Sequence, residues 1–191
     1  MAPKVILTGF MATGKSAVSR ALAKRLGWPL VDCDALLEQR AGKPISVIFS
    51  EKGETHFRKL ESDLIDEITA DPRRCAQCGN PRPAVIATGG GAIVDARNYA
   101  ALAKAGVVVC LTARPEVIAR RIGPKAAARP MLTRGGKPLP DRIAELLAER
   151  REAYERAVIT VDTSDLAVND VVDAILSALA GWRLRQWAPS A

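Results

Sequence analysis

Five short, almost unbroken apolar runs punctuate the chain, at residues 4–8, 29–32, 84–88, 107–111 and 158–162. Runs this short with little alternation predict strands buried on both faces, as in a parallel sheet. Between them, apolar residues recur every three or four positions, the spacing of one helical face. Val18, Leu22 and Leu26 predict a helix over 17–26, with Gly27 where a C-terminal cap belongs. Phe57, Leu60, Leu64 and Ile68 stripe a longer helix over about 54–70. Further helical patterns cover 95–105, 115–122, 141–155 and 169–179, and Pro115 suits a first turn because its φ is already set. Strands alternating with helices through right-handed crossovers give an α/β fold, a three-layer sandwich around a central five-stranded parallel sheet.

Two stretches break the rhythm. Residues 71–83 hold three prolines and no apolar periodicity, which predicts an exposed loop longer than a simple connection. Residues 123–140 combine Gly, Pro and basic residues with few apolar anchors, the composition of a mobile lid. The remaining pattern fits a single domain over 1–181 with a short C-terminal tail at 182–191, and no internal repeat is visible.

Composition narrows the function classes. No apolar run approaches the roughly 18–20 residues of a membrane span. The first strand begins within a few residues of Met1, leaving no room for a signal peptide, so a cytoplasmic protein without a membrane partner is expected. The net charge of +7 is dispersed, and only eight aromatic residues are available for stacking. Nucleic acid is therefore not an expected partner, whereas a basic surface suits small anionic ligands. With no long heptad and no exposed apolar strand, a monomer is the default. Cys33 and Cys110 sit in or beside apolar runs and read as small buried hydrophobes. Cys75 and Cys78 form a C-x-x-C pair in the polar loop. A solvated loop is the favoured reading there, with a labile disulfide or a zinc site as alternatives; His56 is the only histidine that could assist a metal.

The chemistry begins at Gly9-Phe10-Met11-Ala12-Thr13-Gly14-Lys15-Ser16, which fits G-x-x-x-x-G-K-[ST] between a strand and a helix. Backbone N–H groups of such a loop and the following helix N-terminus face a polyphosphate. Gly9, Met11, Ala12, Thr13, Gly14, Lys15, Ser16 and Ala17 are the expected nucleotide-binding residues. Lys15 reaches the β- and γ-phosphates, and the Ser16 hydroxyl ligates Mg²⁺. Asp32 and Asp34 end the second strand, where ligands of open parallel sheets gather. Asp32 is placed to hold a water of the Mg²⁺ shell. Asp34 either orients a substrate hydroxyl at the γ-phosphate or caps the next helix; the two roles use different atoms. Arg58 and Glu61 are i, i+3 neighbours, so the carboxylate can hold the guanidinium ready for a planar anion, unless the pair is only a surface contact. Gly89-Gly90-Gly91 follow the third strand, where they permit either close approach to a ligand or a tight turn.

Taken together, these segments closely resemble shikimate kinase. The resemblance runs through the P-loop, the D-x-D at Asp32 and Asp34, I-F-x-x-x-G-E-x-x-F-R-x-x-E at 48–61 and A-T-G-G-G-A at 87–92. It continues through R-P-M-L at 129–132 and L-x-x-x-R-x-x-x-Y from Leu146 to Tyr154, spanning roughly 4–180. It implies a nucleoside-monophosphate-kinase-like fold with a lid, and ATP-dependent phosphorylation of the shikimate 3-hydroxyl with Mg²⁺, on the route to chorismate and the aromatic amino acids. Lys15, Asp34 and Arg129 become the expected catalytic residues. Asp34, Arg58, Glu61, Gly90, Gly91, Arg129 and Arg150 become the shikimate site, with Arg58 and Arg150 on its carboxylate. Arg121 is expected against the adenine, with backbone near 162–165 on its other side.

Four departures stand out, one of them the 71–83 loop, which is longer than the family's usual connection. Ala12 and Ser19 occupy positions where the family usually has glycine, and Met131 replaces a usual leucine. The rival readings are a gluconate-type kinase and a catalytically silent nucleotide-binding module.

Overall fold

The computed structural model describes residues 4–70, 83–123, 132 and 138–187. Arg129, Met131, Cys75, Cys78 and most of the expected lid and loop lie outside the described residues. Strands β1 (Lys4–Gly9), β2 (Leu30–Asp32), β3 (Ala84–Ala87), β4 (Val107–Thr112) and β5 (Ile159–Asp162) form one sheet in the order β2-β3-β1-β4-β5. Every neighbouring pair is parallel. All five expected strands are present.

Alternation along β1 divides the core. Ile6 joins Val31, Ile86, Val108 and Cys110 on one face of the sheet, whereas Val5 and Leu7 join Val85, Val109, Leu111 and Val161 on the other. The first face is covered by α2 (Cys33–Ala41), α3 (Ile45–Ala70), α4 (Ala96–Ala105), α5 (Pro115–Ile122), α6 (Leu139–Glu149) and α7 (Arg151–Glu155). The second is covered by α1 (Lys15–Leu26) and α8 (Val168–Trp187). Truncating a fully buried residue such as Leu22 or Ile118 costs about 2–5 kcal/mol, more than any exposed ion pair returns. Layer packing, not surface charge, therefore holds the frame.

Cys33 and Cys110 are buried, as expected, and burial pushes both thiols up, Cys110 to about 12. Neither is a nucleophile at neutral pH. Among the described residues, no helix is long and apolar enough to cross a membrane.

Four local features differ from the pattern-based expectation. Helix α3 begins at Ile45, well before residue 54, and kinks at Gly53, whose φ of 78° and ψ of 174° no side-chain-bearing residue adopts readily. The helix expected over 141–155 is two helices meeting at Arg150. Helix α8 runs through Gly181 to Trp187, past the expected boundary at 181, and Trp182 packs on the second core. Lastly, Asp32 caps α2, accepting the Ala35 N–H at 3.2 Å, so the capping role weighed for Asp34 falls to Asp32.

Ser19 fits without its glycine: it is fully buried and its hydroxyl donates to the Ser16 carbonyl at 3.3 Å. Ala12 fits at a cost. With φ of 59°, it is the one non-glycine at positive φ among the described residues. An L-residue there loses about 1 kcal/mol to the clash of its Cβ with the backbone. Ala12→Gly is expected to raise the unfolding free energy by that amount, seen as a higher urea midpoint at unchanged m-value; an unchanged midpoint would mean that the loop bears no strain.

Candidate active site

The carboxyl ends of β1, β2 and β3 open onto one edge of the sheet, and each delivers a functional segment there. β1 leads into the P-loop, β2 into the first turn of α2 with Asp34, and β3 into the three glycines. They meet around a cavity of about 420 Å³ that Asp34, Arg58, Glu61, Gly90, Gly91 and Arg150 all line. Six residues expected from separate stretches of sequence therefore line one cavity. Arg129 lies outside the described residues.

The first turn of α2 projects Asp34 into this space because Asp32 has taken the cap. Burial raises the pKa of Asp34; the Lys15 ammonium opposes that rise, Asp32 and Glu38 add to it, and Arg58 opposes it. A carboxylate with raised proton affinity, within the field of the P-loop lysine, is suited to receive a proton beside a phosphate.

Helix α3 carries the cationic fork. Arg58 bonds Glu61 at 2.6 Å and Glu54 at 3.3 Å, so carboxylates on either side fix its rotamer. Burial works against its charge, but Glu61 and Glu54 outweigh burial and its pKa rises. Glu61 is only 2% exposed, which separates this pair from surface contacts such as Arg40 with Glu67. Removing one member would leave a buried charge uncompensated, at about 3–5 kcal/mol. Burial also raises the Glu61 pKa against the pull of Arg58.

The glycines exist for these side chains. A Cβ on Gly89 would stand 2.5 Å from Glu61 Oε1 and 3.0 Å from Asp34 Oδ1. One on Gly91 would stand 2.6 Å from both terminal nitrogens of Arg58. Close approach, not a turn, is what demands glycine at these two positions. Sequence reasoning misses Gly89 as a site residue, since its contacts come from segments more than twenty residues away.

Arg150 enters from the opposite wall. It sits between α6 and α7 with φ of −106° and ψ of 2°, and it is 7% exposed. Its guanidinium carbon lies 5.5 Å from the centre of the Phe10 ring, a P-loop side chain. Tyr154, one turn on, donates its hydroxyl to the Gly90 carbonyl at 2.7 Å and hydrogen-bonds Arg150. Burial, opposed by Arg150, pushes the Tyr154 hydroxyl up to about 12, so it stays a donor. Tyr154 thus ties the glycine segment to Arg150, a role its place in the motif does not disclose. Glu38, Ile45, Ser46, Phe49 and Phe57 complete the lining, together with Met11, which sequence reading assigns to the nucleotide.

At the phosphate end, the Lys15 ammonium donates to the carbonyls of Gly9 and Phe10, each at 2.8 Å. Thr13 donates to the Phe10 carbonyl at 2.8 Å and is fully buried. Ser16, at the start of α1, is exposed. Arg121 donates to the Thr163 carbonyl at 2.6 Å and lies 3.0 Å from its hydroxyl, which in turn lies 2.9 Å from the Thr13 carbonyl. Arg121 and the backbone at 162–165, both expected around the base, do come together beside the P-loop. No cluster of three or more His, Cys, Asp or Glu side chains among the described residues could hold a metal by itself.

Comparison with known proteins follows the same lines. The shikimate kinase family model matches residues 11–180. Shikimate kinase of Geobacter metallireducens is 43% identical over 179 residues, covering 93% of this chain and 92% of its own. The solved structure of Acinetobacter baumannii shikimate kinase in complex with shikimate superposes with a TM-score of 0.84 at 31% identity, over 96% of each chain. A gluconokinase from Sinorhizobium meliloti shares the fold at a TM-score of 0.60 but is only 17% identical. Since the family model spans residues 11–180, glycine segment and both arginines included, and the relatives cover more than nine-tenths of this chain, the chain belongs to the shikimate kinase family.

Proposed function

We infer that this protein transfers the γ-phosphoryl group of ATP to the 3-hydroxyl of shikimate, giving shikimate 3-phosphate and ADP. The observation that carries the reading is the convergence of Asp34, Arg58 and Arg150 on one cavity beside Lys15. Shikimate is a small ring with a carboxylate at one end and hydroxyls at the other. Arg58 and Arg150 suit the carboxylate with planar, pre-set donors. Asp34 accepts the hydrogen bond of the attacking hydroxyl and takes its proton as the new P–O bond forms. ADP leaves with the electron pair of the broken bond. Gly90 and Gly91 bring backbone to the ring, Glu61 holds Arg58, and Arg129 is assigned to the transferring phosphoryl group. Gly9, Met11, Ala12, Thr13, Gly14, Ser16 and Ala17 cradle the phosphates with Lys15, and Arg121 stacks on the base. Ser16, with Asp32 through a water, would hold Mg²⁺, which neutralises phosphate charge. The same reading has the protein act as a cytoplasmic monomer on small molecules alone.

A coupled assay of ADP release from MgATP tests this reading. Release is expected with shikimate only; equal release with gluconate, with RNA or with no acceptor would overturn it. Gly91→Ala is a finer test. Its methyl group displaces the Arg58 guanidinium, so the shikimate KM rises by about tenfold or more while the ATP KM holds. An unchanged shikimate KM would remove Arg58 from the substrate.

A further inference from the structure

Helices α2 and α3 border a second cavity, of about 410 Å³, nearly the size of the first. The two share their walls. On α2, Asp34 and Glu38 face the front cavity while Leu37 faces the second; on α3, Phe57 and Glu61 face the front while His56 and Leu60 face the second. Gly53, the kink of α3, lies between the contributing turns.

The floor of this second cavity is apolar, built from Leu37, Ile48, Leu60 and Leu64, three of them buried. Most charges at its rim are matched: Arg40 with Glu67, Lys43 with Glu51, and Asp63 with Lys59. Lys52, just before the Gly53 kink, has no ion pair among the described residues, and His56, in the first turn after the kink, has no hydrogen bond of its own among them. An unmatched ammonium and an imidazole above an apolar floor complement a flat apolar ring bearing one negative charge. We propose that the groove between α2 and α3 is a second small-molecule site, for an aromatic monocarboxylate, and that its occupancy alters shikimate binding through the shared helices. The coupling has a direct route, because a ligand wedged against Leu60 and His56 bears on the turn that carries Arg58 and Glu61.

His56 is the only histidine, so its ring signals in an NMR spectrum have a single source. The probe is trans-cinnamate, with cinnamyl alcohol as its uncharged counterpart. Cinnamate is expected to move the His56 signals saturably, and the alcohol to bind at least about tenfold more weakly. Lys52→Glu should abolish the response, whereas Lys24→Glu, an equal charge change at an exposed site on α1, should retain it. Saturating cinnamate should change the shikimate KM by about fivefold in the parent protein and not in Lys52→Glu. Four results would each overturn the proposal: no saturable shift, equal binding of the alcohol, binding with no change in KM, or inhibition that persists in Lys52→Glu. The last would place cinnamate in the front cavity.

Discussion

Asp34→Asn is expected to lower kcat for shikimate phosphorylation by about 10²–10⁴-fold, the usual range for removing a positioned proton acceptor. The amide keeps the size of the side chain, so both substrates should still bind. The same change should make the protein more stable. Burial raises the Asp34 pKa, so folding favours the protonated form and the ionised carboxylate opposes it. The sign follows by linkage: stability from this group is complete below the ordinary carboxylate range and declines as pH rises through the elevated value. At neutral pH the amide of the Asp34→Asn variant escapes that penalty, and the variant's Tm should exceed that of the parent. Below the ordinary carboxylate range the parent carries a neutral Asp34 in both states, and the difference should vanish. Thermal melts at several pH values read this directly. A lower Tm at pH 7 together with lost activity would mean that Asp34 is a structural residue.

Arg150→Met is the second large effect. Methionine retains the stem over Phe10 and removes the charge. The shikimate carboxylate would then face Arg58 alone, with one partner of a buried charged contact gone. Such losses run to about 2–5 kcal/mol, or roughly 30- to 5,000-fold in kcat/KM for shikimate. The ATP KM should be unaffected, because the proposed role puts Arg150 on the shikimate carboxylate and not on the nucleotide. A variant that loses ATP affinity and keeps its shikimate KM would place Arg150 in the nucleotide site. The two substitutions should also differ from each other: Asp34→Asn acts on kcat, whereas Arg150→Met acts on the binding of shikimate throughout.

Much of this site is legible without coordinates. The P-loop needs a strand, a glycine-rich turn and a helix in immediate succession, so local sequence specifies it completely. The three central strands β1, β3 and β4 are legible because burial on both faces leaves a continuous apolar signature, whereas the edge strand β5 alternates buried and exposed positions and is legible only as a short apolar run. Arg58 and Glu61 are legible as a pair because helical spacing fixes their separation.

The rest depends on contacts between distant segments. Asp32 and Asp34 are equally good caps in local terms, and tertiary burial decides which of them turns inward. Gly53 and Gly181 both look like helix terminators, yet one is a kink and the other lies within α8. The break at Arg150 has no Gly or Pro to announce it, and Tyr154 still donates its N–H to the Arg150 carbonyl at 3.0 Å across it. Gly89 carries no signal beyond its neighbours, because the reason for it is two carboxylates from α2 and α3. Ala12 is the converse case. Its unfavourable conformation follows from the loop's geometry, and the family resemblance alone marks the position as unusual.

The central claim is spatial, and a crystal structure with shikimate and a non-hydrolysable ATP analogue tests it most directly. The predicted result has the shikimate carboxylate between the guanidinium groups of Arg58 and Arg150. The 3-hydroxyl should lie within hydrogen-bond reach of Asp34, on the side facing Lys15 and the γ-phosphate. Shikimate bound with its carboxylate away from both arginines, or with Asp34 turned from the ring, would contradict it.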